Sequence, residues 1–281
     1  MKLQKAIDKA RTQQAVPAPP ETVKAVQPRP VVKPEENGNP PVYTDSTAVT
    51  LDEGFVRENR CVCLSTDAPE LDFYKVLRTQ ILQRSKEKGW NTVMVTSTRP
   101  GEGKTLTSIN LALTFAKSYG QTVLLVDCDM RQQKVHTYLG LDSDKGLADY
   151  LLNGRPIKDL ILWPKVEKLT LISGGNTIIE SAELLGSQRM KELVAEMKSR
   201  YSDRYVIFDA PPLLTGADAL TFSQLVDCVI MVVEEGKTPL KEIEKAVELI
   251  PKEKFMGFVL NKAHMSKKGY YYHSYNRGDA K

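Results

Sequence analysis

The 281-residue chain holds no apolar run near the roughly 20 residues that a membrane-spanning helix requires, so it is expected not to cross a membrane. Its first residues, Met1-Lys2-Leu3-Gln4-Lys5, lack the apolar stretch of a leader, and no secretory signal is expected. Cysteine is sparse and scattered, as Cys61, Cys63, Cys128 and Cys228, and the histidines at 136, 264 and 273 add no ligand spacing. A cysteine–histidine metal site is thereby not expected, and the four cysteines read as free thiols. Charge bias is missing from most of the chain as well. Residues 262–281 hold five of the 39 cations and one of the 35 anions, which leaves 34 of each in the remainder. A neutral body with a basic end argues against general nucleic-acid binding.

Composition divides what is present. Leu3, Ile7 and Ala10 lie near helical spacing among Lys and Gln, so residues 1–14 form a candidate amphipathic helix, either a docking peptide or an inert tail. Eight of the 16 prolines fall between Ala15 and Pro41, and residues 15–67 are expected to be a disordered linker followed by an extended segment. The folded domain is expected over 68–264 and a tyrosine-rich basic tail over 265–281. Within 68–264, apolar runs at 91–96, 122–126, 169–172, 204–208, 228–233 and 255–260 alternate with helical patterns at about 70–86, 104–118, 145–152, 182–201, 217–225 and 238–250. Near-continuous apolar strands separated by helices predict an α/β, doubly wound, mainly parallel sheet, and the turn Gly101-Glu102-Gly103-Lys104-Thr105 after the first of them makes it the P-loop NTPase type.

Three motifs carry chemistry. The stretch Ser97-Thr98-Arg99-Pro100-Gly101-Glu102-Gly103-Lys104-Thr105 links the first apolar run to a helical pattern. Such a turn cradles phosphates with backbone N–H groups and a helix N-terminus; Lys104 reaches the β- and γ-phosphates and Thr105 offers a hydroxyl to Mg²⁺. Thr98 stands where the literal pattern has glycine. Next, Val126-Asp127-Cys128-Asp129-Met130-Arg131 puts two carboxylates and an arginine just past a buried strand. Third, Phe208-Asp209-Ala210-Pro211-Pro212 ends another strand in a carboxylate suited to orienting Mg²⁺. Together they point to a nucleoside triphosphate bound with Mg²⁺.

These motifs, with Gly146-Leu147-Ala148-Asp149-Tyr150-Leu151 and Ser181-Ala182-Glu183-Leu184-Leu185-Gly186-Ser187, resemble those of the bacterial tyrosine kinases of capsule and exopolysaccharide assembly. That branch of the P-loop group also contains the septum-site and plasmid-partition ATPases, and the resemblance spans roughly residues 68–276. It implies ATP and Mg²⁺ as cofactors. It also implies nucleotide contacts from Pro100, Gly101, Glu102, Gly103, Lys104, Thr105, Leu106, Arg131 and Asn261, and metal contacts from Thr105, Asp127 and Asp209. Lys104, Asp127, Asp129 and Asp209 are the implied catalytic set, with Asp129 accepting the tyrosine proton. Asn261 equally suits an ordinary turn after a strand.

Tyr270, Tyr271, Tyr272 and Tyr275 place four of the eleven tyrosines within six residues and resemble the autophosphorylated tail of these kinases. The family's subunit-joining helix is replaced by Asp72-Phe73-Tyr74-Lys75-Val76-Leu77-Arg78, in which Lys75 lacks the bidentate fork of arginine. Implied partners are a membrane-embedded chain-length (co-polymerase) protein that activates the kinase, a phosphotyrosine phosphatase and further copies of the chain. The resemblance thus implies a cytoplasmic protein that meets the inner membrane through its partner. A positioning or partition ATPase and an ATP-bound scaffold are the alternative readings.

Overall fold

The computed structural model describes residues 46–65, 67–142 and 144–264, and the statements that follow concern these. Eight strands form one sheet: β1 (Thr47–Ala48), β2 (Thr92–Ser97), β3 (Thr122–Asp127), β4 (Leu162–Trp163), β5 (Leu169–Ile172), β6 (Arg204–Asp209), β7 (Cys228–Glu234) and β8 (Phe255–Asn261). Their order is β1-β4-β5-β3-β6-β2-β7-β8. β4 meets β5 antiparallel, and every other neighbouring pair is parallel. All six strands expected from apolar runs are present. β1 and β4 are two residues each, too short to leave a periodic signal.

Between the strands lie α1 (Glu53–Glu58), α2 (Leu71–Lys88), α3 (Lys104–Ala116), α4 (Val135–Leu139), α5 (Leu147–Asn153), α6 (Ser181–Leu185), α7 (Gln188–Ser199), α8 (Asp218–Ser223) and α9 (Leu240–Glu248). Alternation along each central strand feeds two cores, one per face. Met94, Val126, Phe208 and Met231 join one with α5, α7, α8 and α9. Val95, Leu125, Ile207 and Val232 join the other with α2, α3 and α4. Each such side chain contributes about 1.5–3 kcal/mol by leaving water. All four cysteines are free, as expected, and all four are buried.

Two expectations are corrected. The helix expected over 182–201 is two, α6 and α7, broken at Gly186-Ser187; the Ser187 hydroxyl accepts the Met190 N–H at 3.2 Å and caps α7. The folded body also starts before residue 68. Asp52 caps α1 through the Phe55 N–H, and Val56, Cys61 and Cys63 are buried in the second core. Asn110 of α3 seals this segment: its Oδ1 accepts the Cys63 N–H at 2.9 Å and its Nδ2 donates to the Arg60 carbonyl at 3.0 Å. Tertiary contacts hold residues 47–64, which carry little local pattern of their own.

On α2, Lys75 pairs with Asp72 at 2.9 Å, and Arg78 donates to the Thr114 carbonyl of α3 at 2.8 Å. Both cations of the expected subunit-joining motif thus have partners within the chain.

Candidate active site

Because β2, β3, β6 and β7 run the same way, their C-terminal ends share one edge of the sheet, where ligands bind in such folds. The register places Asp127 of β3 beside Asp209 of β6, and Asp209 beside Val95 of β2. The Gly-rich turn rises from β2 and enters α3 at Lys104. Gly101 and Gly103 have φ of 84° and 97°, which side chains rarely adopt. A Cβ at Gly103 would also lie 2.0 Å from the Asn261 amide nitrogen.

Lys104 is the hub. Its ammonium sits 2.8 Å from Asp129 Oδ2, 3.4 Å from both Asp209 oxygens and 3.3 Å from the Thr105 hydroxyl. Burial alone would lower its pKa, but the carboxylates of Asp209 and Asp129 reverse this and raise it. Thr105 donates to Asp209 Oδ2 at 2.7 Å, and Ser108 donates to Asp209 Oδ1 at 3.2 Å.

Asp127 plays a different part. Its Oδ1 accepts the Asp129 N–H, and its Oδ2 accepts those of Lys134 and Val135, each at 3.1 Å. It thereby fixes the turn that aims Asp129. Burial, then the charge of Asp209, pushes its pKa up to about 8. Burial also raises Asp209, against the opposing pull of Lys104. Three carboxyl groups crowd one ammonium, and a hard cation among them would favour their charged forms.

The other expected residues divide. Asn261, ending β8, donates its amide to the Glu102 carbonyl at 2.8 Å and so touches the turn directly. Pro100 is exposed on the turn, and Leu106 packs against the second core. Arg131, an expected nucleotide contact, lies toward the neighbouring helices. Its guanidinium pairs with Asp218 at 3.0 Å and donates to Ser181 at 3.2 Å, which joins it to α6 and α8. Tyr270, Tyr271, Tyr272 and Tyr275 lie outside the described residues.

Sequence reasoning missed Ser108, one helical turn beyond Lys104 on α3, although that spacing was a usable signal. It also missed Thr238, whose hydroxyl donates to Glu102 Oε1 at 2.5 Å from 136 residues away, a distance no local pattern bridges.

The AAA domain family model AAA_31 matches residues 90–255. Tyrosine-protein kinase YwqD of Bacillus subtilis (strain 168) is 36% identical over 222 residues, covering 76% of this chain and 92% of that protein. Tyrosine-protein kinase CpsD of Streptococcus agalactiae is 30% identical over 75% of this chain and 91% of that protein. The crystal structure of the chimerical protein CapA2B2 superposes with a TM-score of 0.67 at 27% identity, covering 80% of this chain and 96% of its own. With the strand-end carboxylates and the Gly-Lys-Thr helix in place, the chain belongs to the bacterial tyrosine-protein kinases of the P-loop ATPase group.

Proposed function

We propose that this chain is an ATP-dependent tyrosine autokinase serving capsule or exopolysaccharide assembly, phosphorylating the tyrosine cluster of a neighbouring copy. The observation that carries this reading is the meeting of Lys104 with Asp129 and Asp209 at the head of α3, in a chain whose relatives bear tyrosine-kinase names. Residues 100–106 wrap the phosphates, with Lys104 neutralising the β- and γ-oxygens. Asn261 holds the turn from the β8 side and borders the adenine. Asp129 accepts the proton of the incoming tyrosine hydroxyl, a role that needs a carboxylate positioned within hydrogen-bond reach.

The residues present suit Mg²⁺. Thr105 and Asp209 already share a hydrogen bond at the sheet edge, with Asp127 beside them. Among the described residues, no group of three or more His, Cys, Asp or Glu side chains is arranged to hold a metal ion alone. That fits an ion held by one or two carboxylates together with substrate phosphates and water. When bound, it neutralises charge on the transferring phosphoryl group.

No helix among the described residues is long and apolar enough to cross a membrane. Membrane association in this reading is peripheral, through a co-polymerase partner that activates the kinase, with a phosphotyrosine phosphatase reversing the modification. Incubation with γ-labelled ATP tests the core of the proposal. Label on the protein that is confirmed as phosphotyrosine supports it. Hydrolysis without labelling favours a positioning ATPase, and nucleotide binding without either favours a scaffold.

A further inference from the structure

Glu102 is the residue of the turn whose side chain does something other than its position suggests. Although it stands between the two glycines, it is 3% exposed. Its Oε2 accepts the N–H groups of Thr98 at 2.8 Å and Arg99 at 3.0 Å, while its Oε1 accepts the hydroxyl of Thr238 at 2.5 Å. The same hydroxyl accepts the Glu234 N–H at 3.0 Å. The carboxylate is therefore held by two backbone amides and one hydroxyl, which turn inward to an anion belonging to the protein.

Burying a carboxylate among neutral donors is costly unless its oxygens are satisfied, so the arrangement calls for a compensating use. The partners identify one. Thr98 and Arg99 open the turn, and Glu102 lies in its second half. Thr238 closes the β7–α9 connection, residues 235–239. The backbone of the same half is gripped from β8, by Asn261 on the Glu102 carbonyl and by Lys262 on the Gly101 carbonyl, each at 2.8 Å. Lys262 is itself in the left-handed region, with φ of 56°, and pairs with Glu234 at 2.9 Å. Three segments thus converge on Glu102. The side chain supplies a local substitute for the anion that would otherwise order the first half of the turn.

We propose that Glu102 and Thr238 form a positioning pair that sets the turn in its phosphate-accepting shape before nucleotide arrives. The proposal rests on reading residues 97–105 as the phosphate cradle. Because the pair acts on the nucleotide side, its loss should weaken ATP binding without altering recognition of the tyrosine acceptor. The chemistry also predicts which replacements succeed. Glutamine at 102 keeps an oxygen for both amides and can turn its NH₂ to the Thr238 oxygen, so Glu102→Gln should restore most of what Glu102→Ala loses. Serine at 238 restores the hydroxyl that Thr238→Val removes.

The test measures Mg-ATP affinity on the full chain, together with KM for ATP and KM for a peptide copying residues 265–281. Thr238→Val and Glu102→Ala should each weaken ATP binding about tenfold, the effect of stranding a buried polar group, with the peptide KM unchanged. Glu102→Gln and Thr238→Ser should stay within about threefold of wild type, and the double variant Glu102→Ala/Thr238→Val should be no weaker than Glu102→Ala. Full ATP affinity in Thr238→Val, or losses that multiply in the double variant, would overturn the pair. Lys104→Met serves as the separate control. If it binds ATP as wild type does and still transfers phosphate, the cradle reading itself fails, whatever the pair does.

Discussion

The Lys104 ammonium lies nearer to Asp129, at 2.8 Å, than to Asp209, at 3.4 Å. A triphosphate that recruits Lys104 must draw it from the carboxylate assigned as the proton acceptor. The two substitutions therefore separate binding from transfer. Lys104→Met removes the charge facing the phosphates and should lower autophosphorylation at least a hundredfold, the scale of preorganised electrostatic stabilisation. Asp129→Asn removes the competing carboxylate while keeping its shape. It should bind Mg-ATP as tightly as wild type, or more tightly, yet transfer phosphate about a hundredfold more slowly. Equilibrium binding beside single-turnover labelling checks this, and a large loss of affinity in Asp129→Asn would show that the carboxylate holds the metal instead.

Acid stability should depend on Asp227, away from the site. Its carboxylate accepts the N–H groups of Asn91 at 3.0 Å and Thr92 at 3.1 Å and pairs with Lys198, tying the start of β2 to α7 and β7. Partial burial pushes its pKa up, but the Lys198 bond and these amides outweigh that and hold it below the ordinary range. A folded-state pKa below the unfolded value of about 3.9 favours the charged form in the native state. The stability it adds is then present above that value and is lost as pH falls through the folded one. Asp227→Asn should lower the melting temperature at pH 7, and its difference from wild type should shrink as pH falls below the ordinary carboxylate range. Parallel melting curves at every pH would count against the assignment.

The start of the folded body gives a third expectation. Asn110→Ala leaves the buried Cys63 N–H and the part-buried Arg60 carbonyl without their partner beside the second core. Stranding such groups costs about 1–3 kcal/mol each, and each kcal/mol shifts the melting temperature by roughly 2–4 °C at this size. A fall of several degrees is expected in thermal unfolding, whereas truncation of residues 1–41 should leave the transition almost unmoved. An unchanged melting temperature in Asn110→Ala would return residues 53–64 to the linker.

What could be read in advance was what is local. Each central strand announces itself by its own apolar residues, and Gly101-Glu102-Gly103-Lys104-Thr105 specifies a turn and a helix start within five positions. Asp127, Asp129 and Asp209 follow because each stands at the end of such a strand. Contacts between distant segments were hidden. The pairing of Arg131 with Asp218, at the head of α8 and 87 residues further along the chain, left no local pattern. Glu102 was expected only as a contact of the phosphate turn, because Thr238, its side-chain partner, is far along the chain. The break between α6 and α7 was visible in Gly186-Ser187, a stop and a cap in succession, yet the helical period ran across it.

In the proposed function the tail would join catalysis to assembly. Residues 262–281 carry five cations against one anion, a net +4. Each phosphotyrosine adds about −1.5 to −2 at neutral pH, so four of them would add roughly −6 to −8 and reverse the sign of the tail. Docked at a neighbour's Asp127, Asp129 and Asp209, an unmodified tail is attracted and a phosphorylated one repelled. Unphosphorylated protein should therefore self-associate, and phosphorylation at Tyr270, Tyr271, Tyr272 and Tyr275 should disperse it. The effect should be larger at low salt, since screening sets in at about 10 Å in 0.1 M salt. Light scattering before and after ATP treatment, beside a variant with all four tyrosines changed to Phe, measures it. If the Phe variant disperses with ATP as wild type does, nucleotide itself and not tail charge controls assembly.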